Sequence, residues 1–504
     1  MTQGHGRTSA AAVLAFALST GCAARPARPA DSPVPSPTAA SSALTAATPA
    51  DLALGRAFDD RFAAAEATAL WSVRLERAGS RAVLASRNAD RLVLPASNMK
   101  IATLAAAAVR LGWDYRFTTT MHLRGVRRQH VLTGDVVVVG GADPTIGRGT
   151  DPLATFREWA RALRAAGVQR VDGDLVGDPT RFGDAWLGDT WSWDDLTYGY
   201  AAPYSGLTFT ENAVRVRVTP ATALERPAIV TLATMASGLE VRNRVVTTDA
   251  SHPASVSIAR ALTVPILEVT GTMPIGGAAV ERTVAVADPA RYFLGALRAV
   301  LAEEGVEIRG RTIVARVEAA TLPEPVVVHH SAPLSEVAQR FMKASQNLYG
   351  EVLLRVMATA AEDEATPDEA RTALHETLAA LGVPAGTVQG MDGSGLSRRD
   401  FMTATAVATL LQAMAQPPHR EAFRATLPIA GQDGTIATRF RASPCRARVL
   451  AKTGTLAHAR ALSGYITSAS GGEYVFSVIA NNFLVPTRDI DAIVEGALSA
   501  VCAS

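Results

Sequence analysis

The spacing of apolar residues predicts a mixed α/β start for the chain. Apolar positions between Leu52 and Phe62 recur at helical spacing and predict an amphipathic helix. The alternating runs at 70–75 and 82–86 predict two strands joined by a turn. Residues 99–111 are small, mostly apolar and unbroken up to a glycine, which predicts a buried helix.

Between about 116 and 325 the pattern changes to valine-rich runs separated by turns of Gly, Pro, Asn and Asp. This texture predicts mainly β structure. The runs lie at 135–139, 213–218, 228–232, 241–247, 264–269 and 284–286.

From about 330 the helical spacing returns. A long helical pattern is interrupted near Ser345, and an alternating pair of runs around a Gly-Gly turn predicts a β-hairpin close to the end. The predicted helices are 334–360 with that interruption, 370–381, 401–414 and 489–501, and the predicted hairpin strands are 461–467 and 474–480.

The composition is that of an ordinary globular protein of several domains. The 504 residues are too many for one core, and at roughly 150 residues per domain they indicate about three domains. A net charge of +2, with no basic stripe bearing aromatic residues, gives no footprint for nucleic acid. No Cys/His spacing indicates zinc, and the adjacent pair His329 and His330 is expected at the surface.

The N-terminal residues predict export. A dozen small, mostly apolar residues from 9 to 20 suit a signal peptide and are too few to span a bilayer. They lead to Cys22 in a context that resembles a lipoprotein cleavage box, although leucine and serine occupy shifted places in it. Residues 23–50, rich in Ala, Pro, Ser and Thr, predict a flexible tether. An apolar, disordered N-terminus without a targeting role is the alternative.

Two cysteines remain if Cys22 carries a lipid. Cys445 and Cys502 can form a disulfide in an oxidising compartment, or they can stay as buried free thiols. The sequence leaves both alternatives open.

Ser97 and Lys100 form an S-x-x-K pattern at the start of the predicted buried helix. Residues i and i+3 lie on one face of a helix, so the two side chains can touch. A serine hydroxyl needs a base to act as a nucleophile, and a desolvated lysine amine can take its proton. An N-cap serine followed by a surface lysine is the alternative interpretation of this pattern alone.

A second pattern, Ser345-Gln346-Asn347, lies at the interruption between two predicted helices. A hydroxyl there can pass a proton to a leaving amine, and an amide can bind a peptide carbonyl. This pattern carries little information alone, and its value depends on what accompanies it.

A third pattern comprises Lys452, Thr453, Gly454 and Thr455 and follows a predicted strand. A lysine and a hydroxyl on one strand can hold a substrate carboxylate, and the glycine permits close approach to the backbone. The backbone N–H groups of Ser97 and Thr455 are candidates for an oxyanion hole.

The order S-x-x-K, S-x-N, K-T-G is typical of serine β-lactamases and penicillin-binding proteins. Over about residues 51–504 the chain resembles the D-alanyl-D-alanine carboxypeptidase/endopeptidase family of class C low-molecular-mass penicillin-binding proteins, peptidase family S13. The 244 residues between Lys100 and Ser345 favour this family, whose members carry two extra domains at that point. Further matching segments are 141–145, 193–195, 201–205 and 392–398.

The resemblance implies one acyl-transfer reaction without a metal or an organic cofactor. The substrate would be a D,D-peptide of peptidoglycan, with β-lactams as inhibitors. By similarity, Ser97 is the nucleophile, Lys100 its base, Ser345 a proton relay, Asn347 a ligand of the substrate backbone, and Lys452 and Thr453 the ligands of the terminal carboxylate.

The resemblance also implies a place for the diaminopimelate side chain, which ends in an ammonium and a carboxylate. Asp195 and Arg398 match the acid and the arginine that bind it in the family. Without the resemblance, a turn residue and a solvated arginine would be the simpler interpretation. Gln346 departs from the usual aspartate of the second motif; we expect catalysis to survive, with altered charge near Lys100.

The resemblance implies an α/β fold, a transpeptidase-like antiparallel sheet flanked by helices, with two inserted β-rich domains. The predicted segments are a signal peptide (1–22), a linker (23–50), the catalytic domain (51–115 and 329–504), inserted domain II (116–145 and 225–328) and inserted domain III (146–224).

The predicted function is that of a periplasmic serine D-Ala-D-Ala carboxypeptidase or endopeptidase. A membrane tether through Cys22 and assembly as a homodimer are further expectations. A β-lactamase or esterase is one alternative, against which the long insertion and the missing class A glutamate motif argue. A catalytically silent wall-binding or β-lactam-sensing module is another, kept open by Gln346. A purely structural periplasmic protein would make the motifs a coincidence. The balance between carboxypeptidase and endopeptidase activity stays open.

Overall fold

The computed structural model describes residues 47–183, 186–234, 237–261, 264–359 and 366–504. The predicted signal peptide, the lipidation site at Cys22 and nearly all of the predicted linker lie outside these residues. The helices are α1 (Pro49–Ala63), α2 (Met99–Leu111), α3 (Ala154–Ala165), α4 (Pro289–Glu303), α5 (Leu334–Lys343), α6 (Asn347–Val356), α7 (Pro367–Ala380), α8 (Ala404–Met414), α9 (Arg420–Thr426) and α10 (Thr487–Ala503).

The strands follow the valine-rich and alternating runs of the sequence. They are β1 (Leu70–Arg77), β2 (Val83–Arg87), β3 (Thr118–Arg128), β4 (Val131–Val139), β5 (Arg170–Val171), β6 (Leu175–Asp178), β7 (Ala213–Thr219), β8 (Ile229–Leu232), β9 (Glu240–Thr248), β10 (Ser255–Arg260), β11 (Ile266–Pro274), β12 (Val280–Ala285), β13 (Glu307–Ile308), β14 (Thr312–Val314), β15 (Pro325–His330), β16 (Val388–Gln389), β17 (Phe401–Met402), β18 (Val449–Leu456), β19 (Ala459–Thr467) and β20 (Glu473–Asn481).

A five-stranded antiparallel sheet joins the two ends of the described chain, in the order β18-β19-β20-β1-β2. Both of its faces are covered, so β20 is apolar on both sides. Val475 and Ile479 pack against the helical layer of α2 and α5 to α9, whereas Phe476 and Val478 pack against α1 and α10. The predicted α/β architecture with a flanked antiparallel sheet is confirmed.

A disulfide between Cys445 and Cys502 ties the segment before β18 to α10. Both cysteines are fully buried in the core on the α1 and α10 side of the sheet. Of the two alternatives left open by the sequence, the structure contains the disulfide.

The segment between α2 and α5 forms three further sheets. A seven-stranded sheet comprises β3 to β6 and β13 to β15, and α3 and α4 pack on it. Two three-stranded sheets, β12-β7-β8 and β10-β11-β9, share a separate apolar core. Strand pairing therefore groups residues 213–285 apart from the other strands of the segment. Inserted domain III was predicted at 146–224, and the predicted domain bounds stay a prediction.

Two helices in this segment depart from the expectation of mainly β structure. In α3, Phe156, Trp159, Ala160 and Leu163 are buried at the i, i+3, i+4, i+7 spacing of an amphipathic helix. The neighbouring valine runs obscured a signal that the sequence does contain.

The first helix begins earlier than the predicted linker allowed. Helix α1 begins at Pro49, inside that linker, because Thr48 caps it.

Candidate active site

Ser97 and Lys100 meet where a short 3₁₀ turn, Ala96–Asn98, runs into α2. The Lys100 Nζ lies 2.9 Å from the Ser97 Oγ, as the i, i+3 spacing predicts. Ala96 has a φ of +48°, in the left-handed region that residues with a Cβ rarely occupy. Such strain is typical of functional sites, where surrounding contacts hold the backbone in place.

The Lys100 amine is fully buried and has two further close neighbours. They are the Asn347 Oδ1 and the Ser394 carbonyl oxygen, each 2.6 Å away. Burial lowers the pKa of Lys100 to about 7, although the Asp392, Glu351 and Asp400 carboxyl groups oppose that shift. A large fraction of this lysine is therefore neutral at physiological pH.

The second motif is held in the turn between α5 and α6. Ser345 has a φ of +56°, and Asn347 begins α6. The Asn347 Nδ2 donates to the Tyr200 carbonyl oxygen at 2.8 Å, so its Oδ1 is the atom that faces Lys100. A backbone carbonyl of the inserted segment thus fixes the orientation of this amide.

Lys452, on β18, lies on the other side of the same turn. Its Nζ donates to the Ser345 Oγ at 2.8 Å and to the Thr453 carbonyl oxygen at 2.7 Å. Burial holds the pKa of Lys452 well below its usual value, and the nearby Lys100 charge lowers it further. Lys100 and Lys452 are therefore two buried lysines in one site, each beside a different serine hydroxyl, and a charge on one disfavours a charge on the other.

Strand β18 is an edge strand whose first half is covered. The Ala451 N–H donates to the Pro428 carbonyl, away from β19, at 3.0 Å. Alternate residues of an antiparallel strand direct their backbone groups to the same edge, so those of Thr453 and Thr455 also point away from β19. A Cβ on Gly454 would approach the Pro95 carbonyl oxygen to 2.6 Å, so only glycine lets the strand pass this close to the turn that carries Ser97.

Thr453 and Thr455 differ in their surroundings. The Thr453 Oγ1 donates to the Thr435 Oγ1 at 2.8 Å, whereas Thr455 is exposed and accepts a hydrogen bond from Arg460. Thr435, in the loop before β18, belongs to no pattern that the sequence offered.

The loop that presents the Ser394 carbonyl is organised by Asp392. Its carboxylate accepts backbone N–H bonds from Ser394, Gly395 and Ser397 at 3.0, 2.6 and 2.7 Å. It also accepts from the Trp191 Nε1 at 2.8 Å, and Trp191 belongs to the inserted segment. This loop was predicted to match the family, but no role for Asp392 was predicted from the sequence.

Two further buried acids lie near Lys100, and the sequence analysis missed both. Burial and the neighbouring Asp392 charge raise the pKa of Glu351 to about 8 and hold the pKa of Asp400 well above its usual value. Glu351 is therefore mainly neutral at pH 7. Nothing in their spacing along the chain indicated that they would converge.

In the described part of the structure, Asp195 and Arg398 form no hydrogen bond or ion pair with Lys100 or Lys452. Asp195 accepts a hydrogen bond from the Tyr200 hydroxyl at 2.7 Å. The exposed Arg398 donates to the Ala457 carbonyl oxygen at 3.2 Å, in the turn after β18. Their predicted role in binding the substrate side chain stays a prediction.

Two kinds of feature are absent from the described part of the chain. Within the described ranges, no three His, Cys, Asp or Glu side chains group as metal ligands would. Among the helices of those ranges, none combines the length and the hydropathy that crossing a bilayer requires.

Comparison with known proteins gives consistent matches over most of the chain. The family model described as the D-Ala-D-Ala carboxypeptidase 3 (S13) family matches residues 55–498. A D-alanyl-D-alanine carboxypeptidase of Actinomadura sp. (strain R39) is 35% identical over 420 residues, which cover 80% of this chain and 76% of that protein. D-alanyl-D-alanine carboxypeptidase DacB of Haemophilus influenzae is 25% identical over 420 residues, covering 81% of this chain and 84% of that protein.

Among solved structures, penicillin-binding protein 4 (dacB) from Haemophilus influenzae matches with a TM-score of 0.76 at 23% identity. The match covers 85% of this chain and 94% of that one. The same protein complexed with a β-lactam matches with a TM-score of 0.70 at 21% identity, over 85% and 94% of the two chains. At these identities the likeness shows a shared fold.

Proposed function

The chain belongs to the D-Ala-D-Ala carboxypeptidase 3 (S13) family, and we propose on that premise that it hydrolyses the D-Ala-D-Ala bond of peptidoglycan peptides through an acyl-enzyme on Ser97. The observation that carries this proposal is the contact between the Ser97 Oγ and the buried Lys100 Nζ. The family supplies the reaction, and this geometry supplies a means of starting it.

Lys100 is the proposed base. Asn347 Oδ1 and the Ser394 carbonyl oxygen can only accept, so a neutral Lys100 amine donates its two protons to them. Its lone pair is then left for the third neighbour, the Ser97 hydroxyl. As Ser97 attacks the scissile carbonyl, its proton passes to Lys100 and the Oγ–C bond forms.

The charge that develops on the carbonyl oxygen needs two donors. We assign them to the backbone N–H groups of Ser97 and Thr455, because β18 directs the Thr455 backbone away from β19 and passes close to the turn of Ser97. Preorganised donors of this kind contribute about 10²–10³ in rate.

The leaving group is the amine of the terminal D-Ala. Ser345 is the proposed relay: its hydroxyl gives a proton to the departing nitrogen as the C–N bond breaks, and Lys452, which donates to the Ser345 Oγ, replaces that proton. Lys452 and Thr453 hold the substrate carboxylate, with Thr435 supporting the Thr453 hydroxyl. A water molecule then hydrolyses the ester on Ser97.

Asp195 and Arg398 are proposed to bind the diaminopimelate side chain at the rim. Arg398 is exposed, so most of its donors are available to a carboxylate, while Asp195 offers an acceptor to an ammonium. Asn347 would bind the peptide backbone nearby. Peptides with diaminopimelate and with lysine at this position test the assignment. Arg398→Gln should reduce the preference for diaminopimelate, because lysine lacks the carboxylate, whereas Asp195→Asn should weaken the binding of both peptides.

The decisive experiment is labelling of the purified protein with a fluorescent penicillin, beside Ser97→Ala. A β-lactam presents a strained amide to the same nucleophile, so we expect a stable label that the variant loses, together with release of D-Ala from a D-Ala-D-Ala peptide. Rapid β-lactam hydrolysis without a stable label would favour a β-lactamase. Neither label nor hydrolysis would favour a silent binding module.

We also propose export to the periplasm, with a lipid on Cys22 as the tether. The disulfide between Cys445 and Cys502 supports an oxidising compartment. Mass spectrometry of the mature N-terminus, beside Cys22→Ala, tests the anchor: a diacylglyceryl group is expected only where Cys22 is present. The homodimer stays a prediction, which sedimentation velocity would check.

A further inference from the structure

The middle residue of the second motif directs its side chain to the inserted segment. The Gln346 Nε2 donates to the Glu211 Oε2 at 2.5 Å. Glu211 lies two residues before the start of β7, more than a hundred positions earlier in the chain than Gln346. The residue that departs from the usual aspartate therefore has a specific partner, and that partner is an acid.

The backbone around Glu211 is held in an unfavourable conformation. Thr210, Glu211 and Asn212 have φ values of +45°, +58° and +52°, and none is a glycine. The Asn212 side chain binds the Phe209 N–H and the Pro203 carbonyl, which fixes the turn from within. A conformation this costly persists only where neighbouring contacts determine it, and it is often tied to function.

The Glu211 carboxylate contacts every element around the second motif. Its Oε1 accepts from the Arg340 Nε at 3.1 Å on α5 and from the Tyr349 hydroxyl at 3.3 Å on α6. Its Oε2 accepts from Gln346 in the turn between them and from the Arg340 Nη2 at 3.2 Å. Arg148 adds a further bond to Oε1 at 3.1 Å. One carboxylate thus links the helix before Ser345, the turn itself and the helix after it.

From this arrangement we infer that Glu211 is a positioning residue for catalysis: through Gln346 and Arg340 it holds the second-motif turn so that Ser345 meets Lys452 and Asn347 meets Lys100. The inference rests on the proposed function of those four residues. Glu211 itself makes no contact with them that would place it at the reacting atoms. Its role is to hold the turn in a left-handed conformation that Ser345 would not adopt unaided.

The amide at 346 matters because it donates. Gln346→Glu puts a second carboxylate against Glu211, which removes the hydrogen bond and adds repulsion. Glu211→Gln alone loses charge but keeps a hydrogen bond, because either amide can rotate to donate. The double variant Glu211→Gln/Gln346→Glu, called the exchange variant below, restores a donor facing an acceptor and keeps the net charge.

The test is the second-order rate constant for acylation of Ser97 by penicillin in the full chain, measured for wild type, both single variants and the exchange variant. We expect Gln346→Glu to lose about tenfold or more, Glu211→Gln to lose less, and the exchange variant to recover most of the loss. Glu281→Gln is the matched control: it makes the same change at an exposed ion pair of the insertion and should acylate as wild type does.

A Gln346→Glu protein that is acylated at the wild-type rate would overturn the inference. A folded exchange variant whose acylation rate does not recover would overturn it too. Hydrogen–deuterium exchange of the peptide spanning 344–348 provides a readout that does not depend on catalysis. We expect its amide protection to be lost in Gln346→Glu and regained in the exchange variant. If the wild-type protein is never acylated, the proposed function fails. The hydrogen-exchange measurements alone then decide whether Glu211 holds this turn.

Discussion

The Lys100 Nζ lies 2.9 Å from the Ser97 Oγ, and its two other neighbours are oxygens without protons. An ammonium in this position would donate to all three oxygens and could not act as a base. A neutral amine would satisfy the two obligate acceptors and direct its lone pair at the hydroxyl. The protonation state of Lys100 therefore decides whether it can act as the base for Ser97.

The pH dependence of acylation follows from that proton. Because burial lowers the pKa of Lys100 to about 7, we expect the acylation rate constant to rise about tenfold per pH unit below that value and to level off above it. Stopped-flow measurements with a chromogenic cephalosporin check the profile. Lys100→Arg keeps a cation that cannot deprotonate, so it should acylate about 10²–10⁴-fold more slowly at every pH; an unchanged rate would exclude Lys100 as the base.

The charge at position 347 should move that profile. Asn347→Asp places a carboxylate beside the Lys100 Nζ, and an opposite charge favours the ammonium. We therefore expect the acid limb to shift to higher pH, with a lower rate at pH 7. Asn347→Ala is the control, because it also loses the amide donor to the Tyr200 carbonyl oxygen but adds no charge. A limb that moves equally in both variants would contradict the electrostatic explanation.

Glu351 should make the protein less stable as the pH rises. Its pKa is about 8 in the folded state and near 4.5 in the unfolded state, so the folded state binds more protons between those values. The free energy of unfolding should fall as the pH increases from about 5 to 8. Glu351→Gln keeps an acceptor for the Gly393 N–H and should flatten this dependence in urea titrations; an unchanged slope would mean that Glu351 ionises normally.

Removal of the disulfide should affect stability and leave chemistry intact. Cys445 and Cys502 are 57 positions apart, and opening a loop of that length costs about 4 kcal/mol in the chain-entropy account. The double substitution to alanine should lower the thermal midpoint by several degrees. Acylation at room temperature should not change, because the disulfide lies in the core on the opposite face of the sheet from α2.

Helices and strands with strong periodicity were predictable from the sequence. The helix Met99–Leu111 and the hairpin of β19 and β20 match the apolar pattern closely. In both, burial against one or two faces of the core determines which positions are apolar. The motif pairs Ser97 with Lys100 and Ser345 with Asn347 were also predictable, since short spacing fixes their geometry. The family resemblance placed Ser345 and Lys452 in one site, but their direct hydrogen bond was not predicted.

The contacts that connect the insertion to the cleft could not be predicted. Glu211 and Trp191 are ordinary residues in the sequence, and their partners Gln346 and Asp392 lie far along the chain. Burial of Glu351 depends on the packing of α6 against the Asp392 loop, where a Cβ on either neighbouring glycine would collide with backbone. Such contacts arise from tertiary packing, for which spacing along one chain carries no signal.

The hydrogen bond from Trp191 to Asp392 has a consequence for how this architecture can be recombined. A chimera can join the insertion of one relative to the catalytic domain of another. The position of Trp191 would then come from one parent and the Asp392 loop from the other. Where the donor parent lacks an indole at this place, the buried carboxylate would lose one of its four strongest partners and the backbone carbonyl it presents to Lys100 would shift. The two parts are therefore expected to be inherited as a matched pair.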